Sequence, residues 1–292
     1  MTFVAEEIAS QPQCWRQAMT LSPAGLPEAG ERVAVVGCGT SLYVAQAYAA
    51  LREAAGIGET DAFAASEYPA RRRYDRLVAI TRSGTTTEVL AAVARAAEAG
   101  IPTTAITGDL DTPVKAAAGT VVDLSFADER SVVQTRFATT ALVQLRTHLG
   151  LTPADLPAQA ERALAADLPH EGLVASQFTF LGSNWTVGLA NEAALKLREA
   201  SGSWTEAYPA MEYRHGPISV TGRGSVVWFL GEPPTGLLEQ VNATGAAVSI
   251  SRLDPLADLV RAQRLAVALA EAKGLDPDQP RNLTRSIILA AQ

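Results

Sequence analysis

The sequence predicts an α/β fold of two doubly wound (Rossmann or flavodoxin-like) parallel-sheet subdomains in tandem, the second smaller. Short apolar runs such as Arg32–Gly37 end in Gly or Thr, as buried parallel strands do. A helical stretch follows most of them, and this alternation is typical of a parallel sheet with helices on both faces. The pattern restarts after residue 172, and a length of 292 residues suits two domains of ordinary size.

The first half alternates strands and helices from residue 31 onward. A helix over 2–20, broken near Pro12, and a Pro- and Gly-rich linker come before it. The expected strands are Arg32–Gly37, Ala62–Ser66, Arg76–Thr81, Pro102–Thr107 and Thr120–Ser125. The expected helices are 41–53, 86–99, 113–118 and 135–148.

The second half repeats this architecture with fewer strands, after a Pro-rich linker with one short helix. The expected strands are Phe178–Gly182, Ser225–Leu230 and Ala247–Ser251, and the expected helices are 188–200, 235–240 and 256–273. A polar loop is expected from Gly202 to Glu212. The predicted domains are 1–30 (helix and linker), 31–150 (first subdomain), 151–172 (linker), 173–274 (second subdomain) and 275–292 (C-terminal tail).

Composition and charge exclude several classes of protein. The formal charge is −7, which argues against nucleic acid or an anionic membrane as the main partner. The two cysteines have neither metal-ligand spacing nor a disulfide pattern. No run of 18 apolar residues occurs, and the acidic start MTFVAEEIAS is unlike a signal peptide. We expect a cytoplasmic protein that needs no metal and no nucleotide cofactor.

Two turns carry Gly, Ser and Thr where a strand passes into a helix. They are Gly37–Ser41 and Thr81–Thr87. At such a turn, free backbone N–H groups and the helix dipole attract an anion. The hydroxyls of either turn alone could equally be ordinary helix N-caps. Two such turns in one sheet favour a phosphate site, while the missing GxGxxG and GxxxxGK[ST] patterns argue against dinucleotides and nucleoside triphosphates.

The most chemically suggestive stretch is 190–217, which reads ANEAALKLREASGSWTEAYPAMEYRHGP. Glu192, Lys196 and Glu199 fall at i, i+4 and i+7 and therefore on one stripe of a helix. His215 follows in the next loop. Such groups can move protons on a small polar substrate. The alternative is an ordinary surface ion pair with a solvated Glu199.

Several motifs together resemble the sugar isomerase (SIS) family, and within it the isomerase half of the glucosamine-6-phosphate synthases. They are EIASQP, CGTS, SGTTTE, ERSVVQTRFATT, EAALKLRE, EAYPAMEYRHGP and DPDQPRNLTRS, and they span nearly the whole chain. The combination of EAALKLRE, RHGP and DQPRNL is specific to this branch. The glutaminase half has no counterpart here, so the complete synthase reaction is not expected from this chain.

The resemblance implies a role for each matching residue. Glu199 matches the glutamate that shuttles a proton between C1 and C2, Lys196 the lysine one turn before it, and His215 the histidine linked to ring opening. The family histidine comes from the neighbouring subunit, which implies a homodimer with shared active sites. Sugar-phosphate contacts are implied for Thr40, Ser41, Thr81, Arg82, Ser83, Thr86 and the backbone of Val132.

Elementary chemistry agrees with these roles. An aldose–ketose shift needs a base that removes a C–H proton beside a carbonyl and returns it to the next carbon, which a carboxylate on a rigid helix can do. A histidine suits proton transfer during ring opening. A cation such as Lys196 would stabilise the charge that develops on the enediolate.

One departure concerns Arg285, which stands where the synthases have a lysine able to form an imine with the keto sugar. Arginine stays protonated and cannot act as that nucleophile, although it could orient a hydroxyl or phosphate. Glucosamine-6-phosphate deaminase is the leading hypothesis. A phosphosugar aldose–ketose isomerase, a fructosamine-6-phosphate deglycase and a non-catalytic sugar-phosphate sensor remain as alternatives.

Overall fold

The computed structural model describes residues 2–69 and 71–290, and these form two parallel sheets with helices packed on them. The first sheet has five strands in the order β2-β1-β3-β4-β5. Its strands are β1 (Val33–Gly37), β2 (Thr60–Ala64), β3 (Arg76–Thr81), β4 (Thr103–Thr107) and β5 (Thr120–Asp123). Its helices are α3 (Thr40–Ala54), α4 (Thr87–Glu98), α5 (Val114–Ala117) and α6 (Arg136–His148).

The second sheet has four strands in the order β7-β6-β8-β9, so the predicted smaller second subdomain is confirmed. Its strands are β6 (Gln177–Gly182), β7 (Trp204–Pro209), β8 (Ser225–Leu230) and β9 (Ala247–Ser249). The remaining helices are α1 (Phe3–Ala9), α2 (Gln11–Thr20), α7 (Leu156–Ala165), α8 (His170–Val174), α9 (Thr186–Ser201), α10 (Leu237–Ala243) and α11 (Pro255–Ala272).

Both sheets begin with the same strand–turn–helix geometry. A Cβ on Gly37 would lie 2.6 Å from the carbonyl carbon of Ser41, and one on Gly182 would lie 2.2 Å from the carbonyl oxygen of Thr186. Only glycine therefore lets the following helix come this close to the strand. Two residues later, Gly39 and Asn184 both have a φ of 54°.

One sequence expectation was wrong. The expected loop from Gly202 contains the edge strand β7, which shows no apolar run because it is only partly buried. The expected linker 151–172 contains α7, which is the short helix expected there and has Leu156 and Ala163 fully buried, and also the start of α8. The N-terminal helix breaks at Ser10, near Pro12 as expected, and Pro12 itself lies in the first turn of α2, where proline is tolerated.

The chain divides into two compact units, each built from separate stretches. The first-sheet unit comprises Gln13–Arg130, Gln134–Pro153 and Thr284–Gln292, and the second-sheet unit comprises Met1–Pro12, Ser131–Val133 and Ala154–Leu283. Among the described residues, no helix is long and apolar enough to cross a membrane.

Candidate active-site residues in the two units

The turn between β1 and α3 forms a helix N-terminus at the carboxyl edge of the first sheet. Thr40 and Ser41 are the first residues of α3, and each is 3% exposed. Gly39 precedes them with a positive φ, which turns the chain from strand into helix. The first-turn N–H groups of a 15-residue helix thus point out of this edge.

The turn between β3 and α4 is tied together by its own hydroxyls. Thr81 Oγ1 accepts a bond from the Gly84 N–H at 3.2 Å, and Ser83 Oγ accepts from Thr85 N–H and Oγ1 at 3.3 and 3.1 Å. Thr86 is the N-cap of α4, but its side chain accepts no capping bond from the described helix. Thr86 thus holds the N-cap position by its backbone alone, and its hydroxyl does not cap the helix.

These two turns lie side by side. Strands β1 and β3 are adjacent and parallel, with Val36 opposite Ala79, so their carboxyl ends meet at the same edge. The strand order reverses at this point, which is where open α/β sheets bind ligands. Two helix N-termini beside several hydroxyls can hold an anion such as a phosphate.

Arg82 lies inside the first-sheet unit, and its guanidinium does not project into solvent. The residue is 1% exposed, and Nη1 lies 3.7 Å from Oε2 of the buried Glu129. Its Nη2 donates to the carbonyl oxygen of Arg285 at 3.1 Å. Its buried charge is thus balanced by Glu129, as buried charges require.

Arg285 fastens the C-terminal tail to the same unit. Its guanidinium donates to both carboxylate oxygens of Asp128, at 2.6 and 2.9 Å, and to the carbonyl of Glu129. Beyond it, the Thr87 N–H donates to the carbonyl of Ile287 at 3.1 Å. The tail therefore occupies a first-turn amide of α4.

In the second-sheet unit, the predicted stripe on α9 is confirmed. Lys196 is 1% exposed, and its Nζ lies 2.5 Å from Glu199 Oε2 and 3.5 Å from Glu192 Oε1. Glu192 is 2% exposed, so the interpretation as an ordinary surface pair is wrong. Glu199 keeps a partly exposed side chain, at 19%. Of the two carboxylates on this stripe, Glu199 is therefore the one that a substrate can reach.

Glu199 lines a cavity of about 470 Å³ between the end of α9 and the segment that follows α11. Sequence reasoning did not single out the residues of that segment, although its DPDQPRN motif was noted. The lining residues are Arg198, Glu199, Ala200, Gly202, Gly274, Leu275, Asp276, Gln279, Pro280, Arg281 and Asn282. Carboxylate, amide and guanidinium groups here can bind a polyhydroxylated molecule.

His215 and Val132 also belong to the second-sheet unit. His215 is exposed at the end of a short 3₁₀ turn, Glu212–His215. Neighbouring Arg214 fixes this turn by donating to Thr235 O at 2.6 Å. The Val132 N–H donates to the carbonyl of Asp278 at 3.1 Å. Of the other nine candidates, seven lie in the two turns and the tail of the first-sheet unit, and two lie on α9 of the second-sheet unit.

Within residues 2–69 and 71–290, no group of three or more His, Cys, Asp or Glu side chains is arranged to hold a metal ion. His148, the last residue of α6, bonds through Nε2 to the Pro27 carbonyl at 2.9 Å.

No family model matches the chain. It is 27% identical over 293 aligned positions to the glutamine–fructose-6-phosphate aminotransferase [isomerizing] of Sulfurisphaera tokodaii. The alignment covers 88% of this chain and 50% of that protein. The chain thus spans about half the length of the curated relatives it matches.

Solved structures share the fold. A glucosamine-6-phosphate deaminase from Thermotoga maritima superposes with a TM-score of 0.83 at 23% identity, over 99% of this chain and 100% of that one. A tagatose-6-phosphate ketose/aldose isomerase from Escherichia coli gives a TM-score of 0.75 at 19% identity, over 100% and 98%. The fold of two doubly wound sheets is therefore shared with these solved structures.

Proposed function

Because the chain is a homologue of the isomerase (SIS) part of glutamine–fructose-6-phosphate aminotransferases, we propose that it is a glucosamine-6-phosphate deaminase. The observation that carries this proposal is the arrangement on α9, where a partly exposed carboxylate lines a polar cavity and is held by a buried lysine. A sensor that only binds sugar phosphates needs no such base.

In the proposed reaction, the two turns of the first sheet bind the phosphate. Thr40, Ser41, Thr81, Ser83 and Thr86 supply hydroxyl and amide donors for it. Arg82 contributes through its backbone, since its guanidinium is buried and its charge is balanced by Glu129. Binding energy from this remote group positions the reacting carbons.

The chemistry then proceeds in three steps. His215 moves a proton between the ring oxygen and the C1 hydroxyl, which opens the ring to the aldehyde. Glu199 removes the C2 proton and returns it to C1, so the C2 amine becomes an imine. Water adds to C2 and ammonia leaves, so glucosamine 6-phosphate and water give fructose 6-phosphate and ammonia.

The exposed position of His215 supports a further part of the proposal. A ring-opening group at the surface can serve a second copy of the chain, and we propose a homodimer with shared active sites. Cytoplasmic location belongs to the same proposal, since sugar 6-phosphates are intracellular metabolites.

The test incubates the purified chain with glucosamine 6-phosphate and measures ammonia and fructose 6-phosphate. We expect equal amounts of both, and a loss of about 10²- to 10⁴-fold in Glu199→Gln, the usual share of a general base. Glu239→Gln, on the exposed face of α10, is the matched control and should keep full activity.

Two other results would overturn deamination. Interconversion of glucose and fructose 6-phosphates without ammonia would make the chain a phosphosugar isomerase. Binding of sugar 6-phosphates without any turnover, unchanged in Glu199→Gln, would make it a sensor.

A further inference from the structure

The ammonium of Lys196 is already engaged by two carboxylates. Its ammonium is 1% exposed, and it is shared between the carboxylates of Glu192 and Glu199 at 3.5 and 2.5 Å. Lys196 is also absent from the lining of the cavity that Glu199 faces. Its charge therefore balances two glutamates and orients Glu199.

Two arginines line the same cavity, and one of them is already engaged. Arg198 donates through Nη1 to the carbonyl and the hydroxyl of Thr205, both at 3.1 Å. Arg281 is exposed, and its guanidinium has no ion pair or hydrogen bond within the described part of the chain. Arg281 is therefore the cation that this cavity can offer to a ligand.

The backbone holds Arg281 at a fixed corner. The Leu283 N–H donates to the Pro280 carbonyl at 3.4 Å, which closes a β-turn with Arg281 and Asn282 at its centre. Asn282 has a φ of 64°, a conformation that asparagine tolerates at the third turn position. Pro280, which directly precedes Arg281, is buried, and its ring fixes its own φ.

The segment before this turn is anchored on both sides by Asp278. Its carboxylate accepts from the N–H groups of Phe3 and Val4 at 2.8 Å each, at the start of α1. Its carbonyl accepts from the Val132 N–H at 3.1 Å. These bonds hold in place the backbone of the cavity wall that carries Arg281.

We propose that Arg281 is a further catalytic residue, the donor that stabilises the oxyanion developing at C1 while Glu199 transfers the proton. Removal of the C2 proton sends its electron pair into the C1–C2 bond and moves the carbonyl electrons onto O1. When C1 receives the proton, the C1–C2 double-bond pair forms the new C–H bond and the amine lone pair makes C2 an iminium. O1 then takes a proton from the iminium nitrogen, which leaves a neutral C1 hydroxyl and a C2 imine. A guanidinium serves such an anion well, because it is always charged and donates two bonds in one plane.

This role rests on the proposed function only in requiring an oxyanion beside Glu199, and it can be tested without turnover. The probes are two phosphorylated ligands that differ at the reacting carbons. The hydroxamate of arabinonate 5-phosphate imitates the anionic intermediate, and glucitol 6-phosphate is uncharged at C1 and C2. Calorimetry gives a Kd for each with the wild-type chain, Arg281→Ala and the control Arg252→Ala, which replaces an exposed arginine outside the cavity lining.

We expect Arg281→Ala to raise the Kd of the hydroxamate by roughly ten- to a hundredfold relative to the Kd of glucitol 6-phosphate. This is the range for a lost charge-assisted hydrogen bond. Arg252→Ala should leave the ratio of the two Kd values unchanged. Added guanidinium ion should restore binding of the hydroxamate to the Arg281→Ala variant. An unchanged ratio in Arg281→Ala would overturn the role of Arg281, as would a wild-type chain that binds neither ligand.

The two proposals fail separately. A wild-type chain that binds the hydroxamate through Arg281 but releases no ammonia loses the deaminase assignment and keeps the oxyanion donor. A chain that deaminates equally well after Arg281→Ala keeps its function and loses the donor.

Discussion

Replacing Lys196 by methionine removes the cation from the most buried charge cluster of the second-sheet unit. Methionine has nearly the length of the lysine stem, so packing changes little. The variant leaves the Glu192 carboxylate, 2% exposed, without the ammonium that lies 3.5 Å away. Removing one partner of a buried ion pair costs about 3–5 kcal/mol, because the remaining charge stays in an apolar environment.

A loss of this size is easily measured by thermal unfolding. At about 2–4 °C per kcal/mol for a unit of this size, Lys196→Met should lower Tm by roughly 6–20 °C. The double variant Lys196→Met/Glu192→Gln removes the uncompensated charge and should regain most of the loss. The matched control is Arg162→Met, whose partner Asp155 lies 3.4 Å away at the surface, and it should change stability by about 0–1 kcal/mol.

Two outcomes would refute this reasoning. One is a Tm for Lys196→Met equal to that of Arg162→Met, which would mean that Lys196 balances no buried charge. The other is a double variant as unstable as the single one, which would assign the loss to packing and not to electrostatics.

Two further predictions concern the first-sheet unit. Ser83→Ala/Thr86→Ala should weaken glucitol 6-phosphate binding roughly tenfold or more by the loss of two hydroxyls, and unchanged thermal stabilisation by this ligand would place the phosphate elsewhere. The pKa of Glu31 is lowered because Arg76 donates two hydrogen bonds to its carboxylate, at 2.8 and 2.9 Å. A carboxylate with a lowered pKa stabilises the fold above its unfolded value near 4.5, and this contribution is lost as pH falls through the folded pKa. Urea unfolding should therefore show Glu31→Gln less stable than wild type at pH 7 and equal to it at low pH. The control Glu59→Gln, at an exposed position, should differ little from wild type at either pH. A loss of stability in Glu31→Gln that does not depend on pH would contradict this reasoning.

The buried strands were predictable from sequence because their apolar runs are continuous. Strands such as β1 and β8 are buried along their whole length, and each was expected within one residue of its observed bounds. Strand β7 was missed because it lies at the sheet edge and keeps Trp204 71% exposed, so its sequence alternates like a polar loop. Whether a strand lies at the edge depends on the whole sheet and cannot be predicted from the sequence of that strand alone.

The stripe on α9 was predictable from spacing, but its burial was not. Spacing fixes which residues share a helix face, whereas burial depends on α11 and on the sheet packed against that face. The cavity beside Glu199 was also missed, because Gln279 and Arg281 reach it across about 80 residues of chain. The signal that could have indicated it is the Pro280–Arg281–Asn282 run, which favours a fixed turn.

The central claim is that Glu199 carries a proton between C2 and C1, and hydrogen exchange tests it most directly. Fructose 6-phosphate and ammonium, the two products of the proposed reaction, are incubated with the chain in D₂O, and deuterium at C1 of the sugar is followed by NMR. We predict that the wild-type chain introduces one deuterium at C1 and that Glu199→Gln, while still binding the sugar phosphate, introduces none. Exchange at the wild-type rate in Glu199→Gln would contradict the claim, as would a wild-type chain that releases ammonia without any exchange at C1.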